Sequence, residues 1–409
     1  MRCTVCKGKG LCGRPNCPIL ERLRAFETMP SIKDSIFGNS PPSVFVGRMG
    51  YPKVGIGPLV PAITDAEISR FDNPASWGEL KIEDVIGMRS SLVRSSKSLN
   101  VKAPQFIGNS RILSMTQELA LADKPVETEV WFLKPPKMDL KFDGILTPMG
   151  PSGTIDKLAI TENPSVERKV EYITSDTDIN AKLAVDELYR GGISVYQIMR
   201  LLSVGLLGER RKLVPTRWSI TATDDIIGKR LIDLIKDYPL INDIELYSFT
   251  HFENHFEIIL FPAIFSFELL EIWRPLSLWA EKGSIEADRE GYKGRSRYSK
   301  LGGGYYAARL GVLEHLDARR RQATAIILRE IHPSYWAPLG VWVVREAVRE
   351  ALRGKPEIFT DPLDALGAAS SRIKTPRVLW RNELKIFDGV RHQRTLSSFF
   401  FLLLSSPTL

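Results

Sequence analysis

All four cysteines of this chain of 409 residues lie within its first seventeen positions, at Cys3, Cys6, Cys12 and Cys17. The spacing C-x2-C-x5-C-x4-C constrains this segment more than any other feature of the sequence constrains the rest. Four thiolates complete the tetrahedral shell of a zinc ion, and Gly8, Gly10 and Gly13 give the backbone the freedom to wrap it closely. Disulfides and an iron–sulfur cluster are the competing readings. A reducing interior disfavours the first, and the spacing departs from the common ferredoxin run, which disfavours the second. With four Cys ligands no coordination position stays open for water or substrate, so the zinc is expected to be structural. The loop between the pairs is short, so residues 1–30 are expected to form a small knuckle ending in a short helix at "ILERLRAFET".

The reducing interior is itself an inference. No stretch reaches the roughly 20 apolar residues of a membrane span, and the opening "MRCTVCKGKG" has no apolar signal-peptide core. A cytoplasmic location is expected. A formal net charge of +8 with a pI near 9.2 favours polyanion partners, nucleic acid first among them. An apolar fraction of 44% over this length is enough for more than one core.

The remaining pattern predicts an α+β chain of two closely packed domains with a mobile tail. A main mixed domain is expected over residues 31–280, a basic Gly-rich loop over 281–300, a smaller α/β unit over 301–388 and the tail over 389–409. "DSIFGNSPPS" reads as a turn-rich connector. "SVFVGRMGYPKVGIGPLVP" reads as two short strands joined by tight turns, with Arg48 and Lys53 beside them. Its glycines serve either a phosphate contact by backbone N–H groups or turn chemistry alone. "AKLAVDELYRGG" and "SVYQIMRLLSVGLLGERRKL" read as helices, the second with Val195, Ile198, Met199, Leu202 and Leu206 on one face.

Further along, "RWSITATDD" reads as a strand running into a helix at "DIIGKRLIDLIKDYP", which places Asp224 and Asp225 at the junction. An Asp there caps the helix or stands as a catalytic or metal-binding carboxylate at a strand's end. "HFENHFEIILFPAIF" reads as one strand, on which His251, Glu253 and His255 share a face. That face suits a metal or acid–base work, or is the wet side of a strand with Phe252 and Phe256 inward. From Lys282 to Tyr306 the sequence reads as a boundary loop in which Lys293, Arg295, Arg297, Tyr298 and Lys300 suit phosphate contacts and base stacking, or form a solvated linker. A compact unit follows, with helices at "YYAARLGVLEHLDARRRQA" and "PLGVWVVREAVREAL" flanking the buried strand "TAIILREI".

The tail "RHQRTLSSFFFLLLSSP" carries an apolar run where a domain normally frays into polar residues. In one helical turn Leu396, Phe399 and Phe400 stand at i, i+3 and i+4 on one side, an apolar plug for a surface pocket, with Gln393 a turn earlier as donor and acceptor. The competing reading folds these phenylalanines onto their own domain.

The N-terminal cysteine pattern, "VFVGRMGYPKVGIGPL", "LVPTRWSITATDD", "GGYYAARLGVLEHL", "RRRQA", "REIHPSYWAPLGVW" and the tail together resemble the archaeal Nre family over nearly the whole chain. The resemblance implies a role in the response to DNA damage, linked to replication through the sliding clamp (PCNA). Within it, Gln393, Leu396, Phe399 and Phe400 form Q-x-x-L-x-x-F-F, similar to the clamp-binding box of many replication and repair proteins. The expected function is a repair factor recruited to the clamp at damaged or replicating DNA. The alternative is an enzyme on DNA or a nucleotide, a nuclease or a nucleotidyl- or ADP-ribosyl-type transferase, using Asp224, Asp225, His251, Glu253 and His255. No complete nucleophile, phosphate-loop or metal motif accompanies those residues.

Overall fold

The structure is a computed structural model describing residues 6, 8–11, 16–63, 65–106, 108, 110–137, 148–277 and 280–392. The mixed α and β composition is as expected, built on two six-stranded sheets among these residues. Two compact units form. The first takes residues 1–231, 306–311 and 334–346, and the second takes 232–305, 312–333 and 347–409.

The first unit's sheet contains β1 (Ser35–Ser40), β2 (Val44–Val46), β3 (Lys53–Pro61), β4 (Leu92–Asn100), β5 (Val126–Phe132) and β6 (Ser152–Ile160), in the order β1-β5-β6-β4-β3-β2. Only β4 and β6 pair in parallel. Alternation along β5 sends Val126, Thr128, Val130 and Phe132 inward, and Val130 and Phe132 join Ile36, Val60, Val93 and Ile155 in one core. β2 and β3 form the expected glycine-rich hairpin. Gly57 is fixed by packing, since a Cβ there would stand 2.2 Å from the Ser95 carbonyl oxygen. "DSIFGNSPPS" is no connector: its first half forms β1, paired with β5. An edge strand needs hydrogen bonds on one side only, so it accommodates Gly38 and Asn39 and stops before Pro41.

The second unit's sheet contains β7 (Ile244–His251), β8 (Asn254–Phe261), β9 (Phe267–Trp273), β10 (Ser284–Glu290), β11 (Thr324–Ile331) and β12 (Glu357–Phe359), in the order β10-β9-β11-β8-β7-β12. β11 lies between β9 and β8, and all of its residues are buried, as its uninterrupted apolar start requires. Helices Pro362–Arg372 and Lys385–His392 supply Leu366 and Phe387 to the core over β7, β8 and β9. The expected boundary loop begins instead with β10, an edge strand whose charged residues leave only Ala287 and Glu290 buried.

The helices at 18–27, 181–190, 195–203, 303–319 and 342–353 fall where the periodicity places them. Val341, Val344, Val348 and Ala351 are buried as their spacing requires. No helix among the described residues is long and apolar enough to cross a membrane.

Candidate functional site

"RWSITATDD" is helical, continuous with the segment after it as one helix, Thr216–Ile235. Its hydroxyl residues suggested a strand, but Ser219, Thr223, Ile227 and Leu231 recur every four residues and all are buried. Ser219 Oγ donates back to the Thr216 carbonyl at 3.1 Å, the local bond that lets serine sit inside a helix. Asp224 and Asp225 are therefore mid-helix and cap nothing. Arg345 Nη2 donates to Asp224 Oδ2 at 2.6 Å, with both side chains out of solvent. Asp225 receives Arg309 Nη2 at 2.8 Å and Lys229 Nζ at 2.6 Å.

Arg345 also faces a cleft in the first unit. Its walls come from β2 and β3, from the helices Ile82–Ser90, Val195–Ser203 and Thr216–Ile235, and from residues 341–345. Among the described residues three arginines reach it, Arg89, Arg200 and Arg345, against one carboxylate, Asp72. Arg89 donates Nε to the Pro148 carbonyl at 3.1 Å and Nη1 to the Phe71 carbonyl at 3.0 Å and to Asp72. Arg200 donates Nε to Ala120 O at 2.9 Å and Nη2 to Ala122 O at 2.8 Å, closing the carbonyl end of helix Arg111–Leu121. Burial lowers the Arg200 guanidinium to about 10, against the opposing pull of Asp72. Arg345 lies 5.2 Å from the centre of the Tyr196 ring, and Tyr196 donates its hydroxyl to Glu346 at 2.5 Å. The sequence reading overlooked these arginines. Their signal is an Arg set inside an apolar helical stripe, as in "YQIMRLL" and "WVVREAV".

The histidine strand is a hairpin. β7 ends at His251 and β8 begins at Asn254, with Phe252 and Glu253 forming the turn at φ 45° and 58°. His251 pairs with Asn254 and Thr250 with His255, so the two imidazoles project to opposite faces and Glu253 belongs to neither strand. His255 bonds Thr250 Oγ1 at 2.7 Å and the buried Glu257 at 2.8 Å. His251 makes no hydrogen bond through Nε2, and burial lowers its pKa to about 4 against the pull of Glu350.

The basic residues after β10 divide in two. Arg295 is an internal latch: it donates Nη2 to Asp288 at 2.8 Å and Nε to the Arg297 carbonyl at 2.7 Å, and stacks 4.5 Å from the Tyr305 ring centre. Asp288 also takes Ser299 Oγ at 2.6 Å and the Lys300 backbone N–H at 3.1 Å. Burial works to raise its pKa, but these bonds prevail and hold it below the usual carboxylate value. Lys293, Arg297, Tyr298 and Lys300 remain exposed.

Arg48 and Lys53 are exposed on the β2–β3 hairpin. Between them Tyr51 is 55% exposed, and its ring lies 5.6 Å from that of Trp218, which is 45% exposed. Cys17 sits at the N-cap of helix Pro18–Glu27 without a side-chain capping bond, and Cys6 is buried. Cys3, Cys12, Gln393, Leu396, Phe399 and Phe400 lie outside the described residues. Among the described residues no group of three or more His, Cys, Asp and Glu side chains is placed to hold a metal.

Residues 11–280 match the family model for the N-terminal part of archaeal Nre, and residues 290–399 match the model for its C-terminal part. The chain is 44% identical over 403 residues to the DNA repair protein NreA of Archaeoglobus fulgidus, covering 98% of this chain and 99% of that one. It is 42% identical to the DNA repair protein NreB of the same organism, over 98% and 100%. It is 40% identical to the DNA repair protein NreA of Haloferax volcanii, over 82% and 83%. No solved structure matches. Both halves of the chain and nearly all of its length share this ancestry, and the chain belongs to the archaeal Nre family of DNA repair proteins.

Proposed function

We propose that this repair protein is recruited to the sliding clamp (PCNA) by Gln393, Leu396, Phe399 and Phe400 and contacts DNA through exposed cations and rings of its two units. The observation that carries the reading is the spacing Q-x-x-L-x-x-F-F, which begins directly after helix Lys385–His392. Burying three such apolar side chains is worth roughly 1.5–3 kcal/mol each. Ordering the segment returns several kcal/mol, so the expected affinity is micromolar-class.

The DNA contact rests on charge and aromatic faces. Lys293, Arg297 and Lys300 are the cations outside the Arg295–Asp288 latch, and Tyr298 beside them is 62% exposed. Arg48 and Lys53 flank the Tyr51–Trp218 pair, which gives an unpaired base a face to stack on. Binding of this kind is weak, largely indifferent to sequence and steeply salt-dependent. Cys3, Cys6, Cys12 and Cys17 hold one structural zinc in this reading; Cys17, whose thiol caps no helix, fits a ligand's role.

A synthetic peptide spanning residues 389–405 tests the recruitment. It should bind the clamp with micromolar affinity and displace the full-length protein. A peptide with Phe399→Ala and Phe400→Ala should do neither. Equal competition by both peptides would refute the assignment.

A further inference from the structure

The arginines of the first unit's cleft are only partly used by the fold. Arg89 is 2% exposed, yet its Nη2 has no hydrogen bond among the described residues, the other nitrogens being taken by two carbonyls and Asp72. Arg200 spends Nε and Nη2 on two carbonyls and leaves Nη1 without a partner among the described residues. Carbonyl oxygens satisfy donors without cancelling charge. The dipole of helix Arg111–Leu121 offsets part of it, and among the described residues Asp72, already paired with Arg89, is the one carboxylate on the wall. Buried charge left in this state is costly, and a bound anion relieves the cost.

The cleft also has room and a second kind of wall. Its cavity is about 100 Å³, several times the least volume that admits a water. That accommodates a phosphate group and part of the moiety bearing it. Phe45, Met149, Met199 and Trp342 line the remainder with aromatic and thioether surface suited to a planar organic group.

The geometry points to a binding site for the phosphate of a nucleotide, with the unused Nη groups of Arg89 and Arg200 taking phosphate oxygens and the apolar wall taking the nucleoside. Phosphate is preferred to a lone carboxylate because two guanidinium groups on different helices offer donors to more than two oxygens. A free nucleoside phosphate and the terminal phosphate of a DNA strand share this chemistry. The site is independent of the clamp box, and either can fail alone.

Calorimetric titration of the full chain with AMP, inorganic phosphate and sodium acetate, together with DNA titrations using 5′-phosphorylated and 5′-hydroxyl single strands of one sequence, tests the site. AMP binding identifies a free nucleotide; a tenfold or greater preference for the phosphorylated strand identifies a DNA end. In either case Arg200→Gln should weaken the phosphate-bearing probe at least tenfold and leave the 5′-hydroxyl strand unaffected. Acetate binding as well as phosphate, no phosphate-dependent binding at all, or an unaffected variant would overturn the assignment. Arg200 also ties two carbonyls, so a wild-type measurement accompanies the variant. Photolabelling with 8-azido-AMP, and with a strand carrying a photoreactive 5′-phosphorylated nucleotide, should mark Phe45, Tyr196 or Met199 with at least one of the two. Labelling of the cleft by neither contradicts the proposal.

Discussion

Asp224→Asn and Asp225→Asn should both destabilise the protein, Asp224→Asn the more. Asp224 is fully buried against Arg345, itself 1% exposed, so its loss leaves a guanidinium charge buried beside a neutral amide. Breaking one side of such a pair costs about 3–5 kcal/mol. Asp225 keeps 24% side-chain exposure, so solvent screens its own charge, but its partner Arg309 is fully buried and is left without that carboxylate, so Asp225→Asn is costly as well and only somewhat milder. Urea denaturation of both variants reads the difference. A second expectation concerns His251 and His315. Burial lowers each to about 4, with Arg319 pushing His315 down further. The unfolded chain takes up these protons first, near the ordinary value of about 6.5. Stability should therefore be complete above about pH 6.5, fall as pH drops towards 4, and cease to change on their account below that. His251→Phe keeps the packing against Phe249 and Phe252 and removes one titrating group. Its stability should fall less steeply across that window, and an unchanged slope would contradict the shift. At this scale the sequence announced the residue types and little of their use. Asp224 and His255 stood out as chemistry-bearing groups; the partner of Asp224, Arg345, lies 121 residues away and follows from tertiary contact that spacing along the chain cannot encode, whereas Glu257 stands two residues from His255 on the same face of β8 and was within reach of the strand period.

At the scale of elements, the predicted DNA contacts separate from the structural ones. Neutralising Lys293, Arg297 and Lys300 together should weaken DNA binding and reduce the slope of log affinity against log salt by roughly 2–3. The melting temperature should hold, since these side chains are exposed. Arg295→Ala should instead lower thermal stability, because it opens the latch on Asp288 and uncovers the Tyr305 ring. Tyr51→Ala with Trp218→Ala should cost single-stranded DNA about 1–3 kcal/mol for each base that stacks there. Anisotropy titrations at several salt concentrations, beside a thermal melt, distinguish these outcomes. The elements with strong periodicity were legible, among them Val195–Ser203 and Trp342–Arg353, because one apolar face recurs at helical spacing. The edge strands β1 and β10 were not: a strand buried on one face tolerates Gly, Asn and charge, so it reads like a loop. The start of the Thr216–Ile235 helix was misread because Trp218, Ile220, Thr221 and Thr223 suit a strand, while Ser219 and Thr223 make the first half of its buried stripe polar.

At the scale of the whole molecule, the family models divide the chain near residue 285, whereas the compact units do not respect sequence order. Residues 306–311 and 334–346 belong with the first 231, and that return brings Arg309 to Asp225 and Arg345 to Asp224. A reading along the chain sees local periodicity and has no access to such returns, which is why the arginine cleft was not legible. The cysteine cluster makes a separate expectation. Protein purified without chelator should carry about one zinc per chain by elemental analysis, and four freely titratable thiols with no metal would refute the site. The recruitment claim is tested most directly by calorimetric titration of the full-length protein with the trimeric clamp, comparing wild type with Phe399→Ala plus Phe400→Ala. Wild type should bind with micromolar-class affinity, and the variant should lose that binding while its melting temperature barely moves. Unchanged clamp binding, or a large loss of stability, would show that the phenylalanines serve the protein's own core.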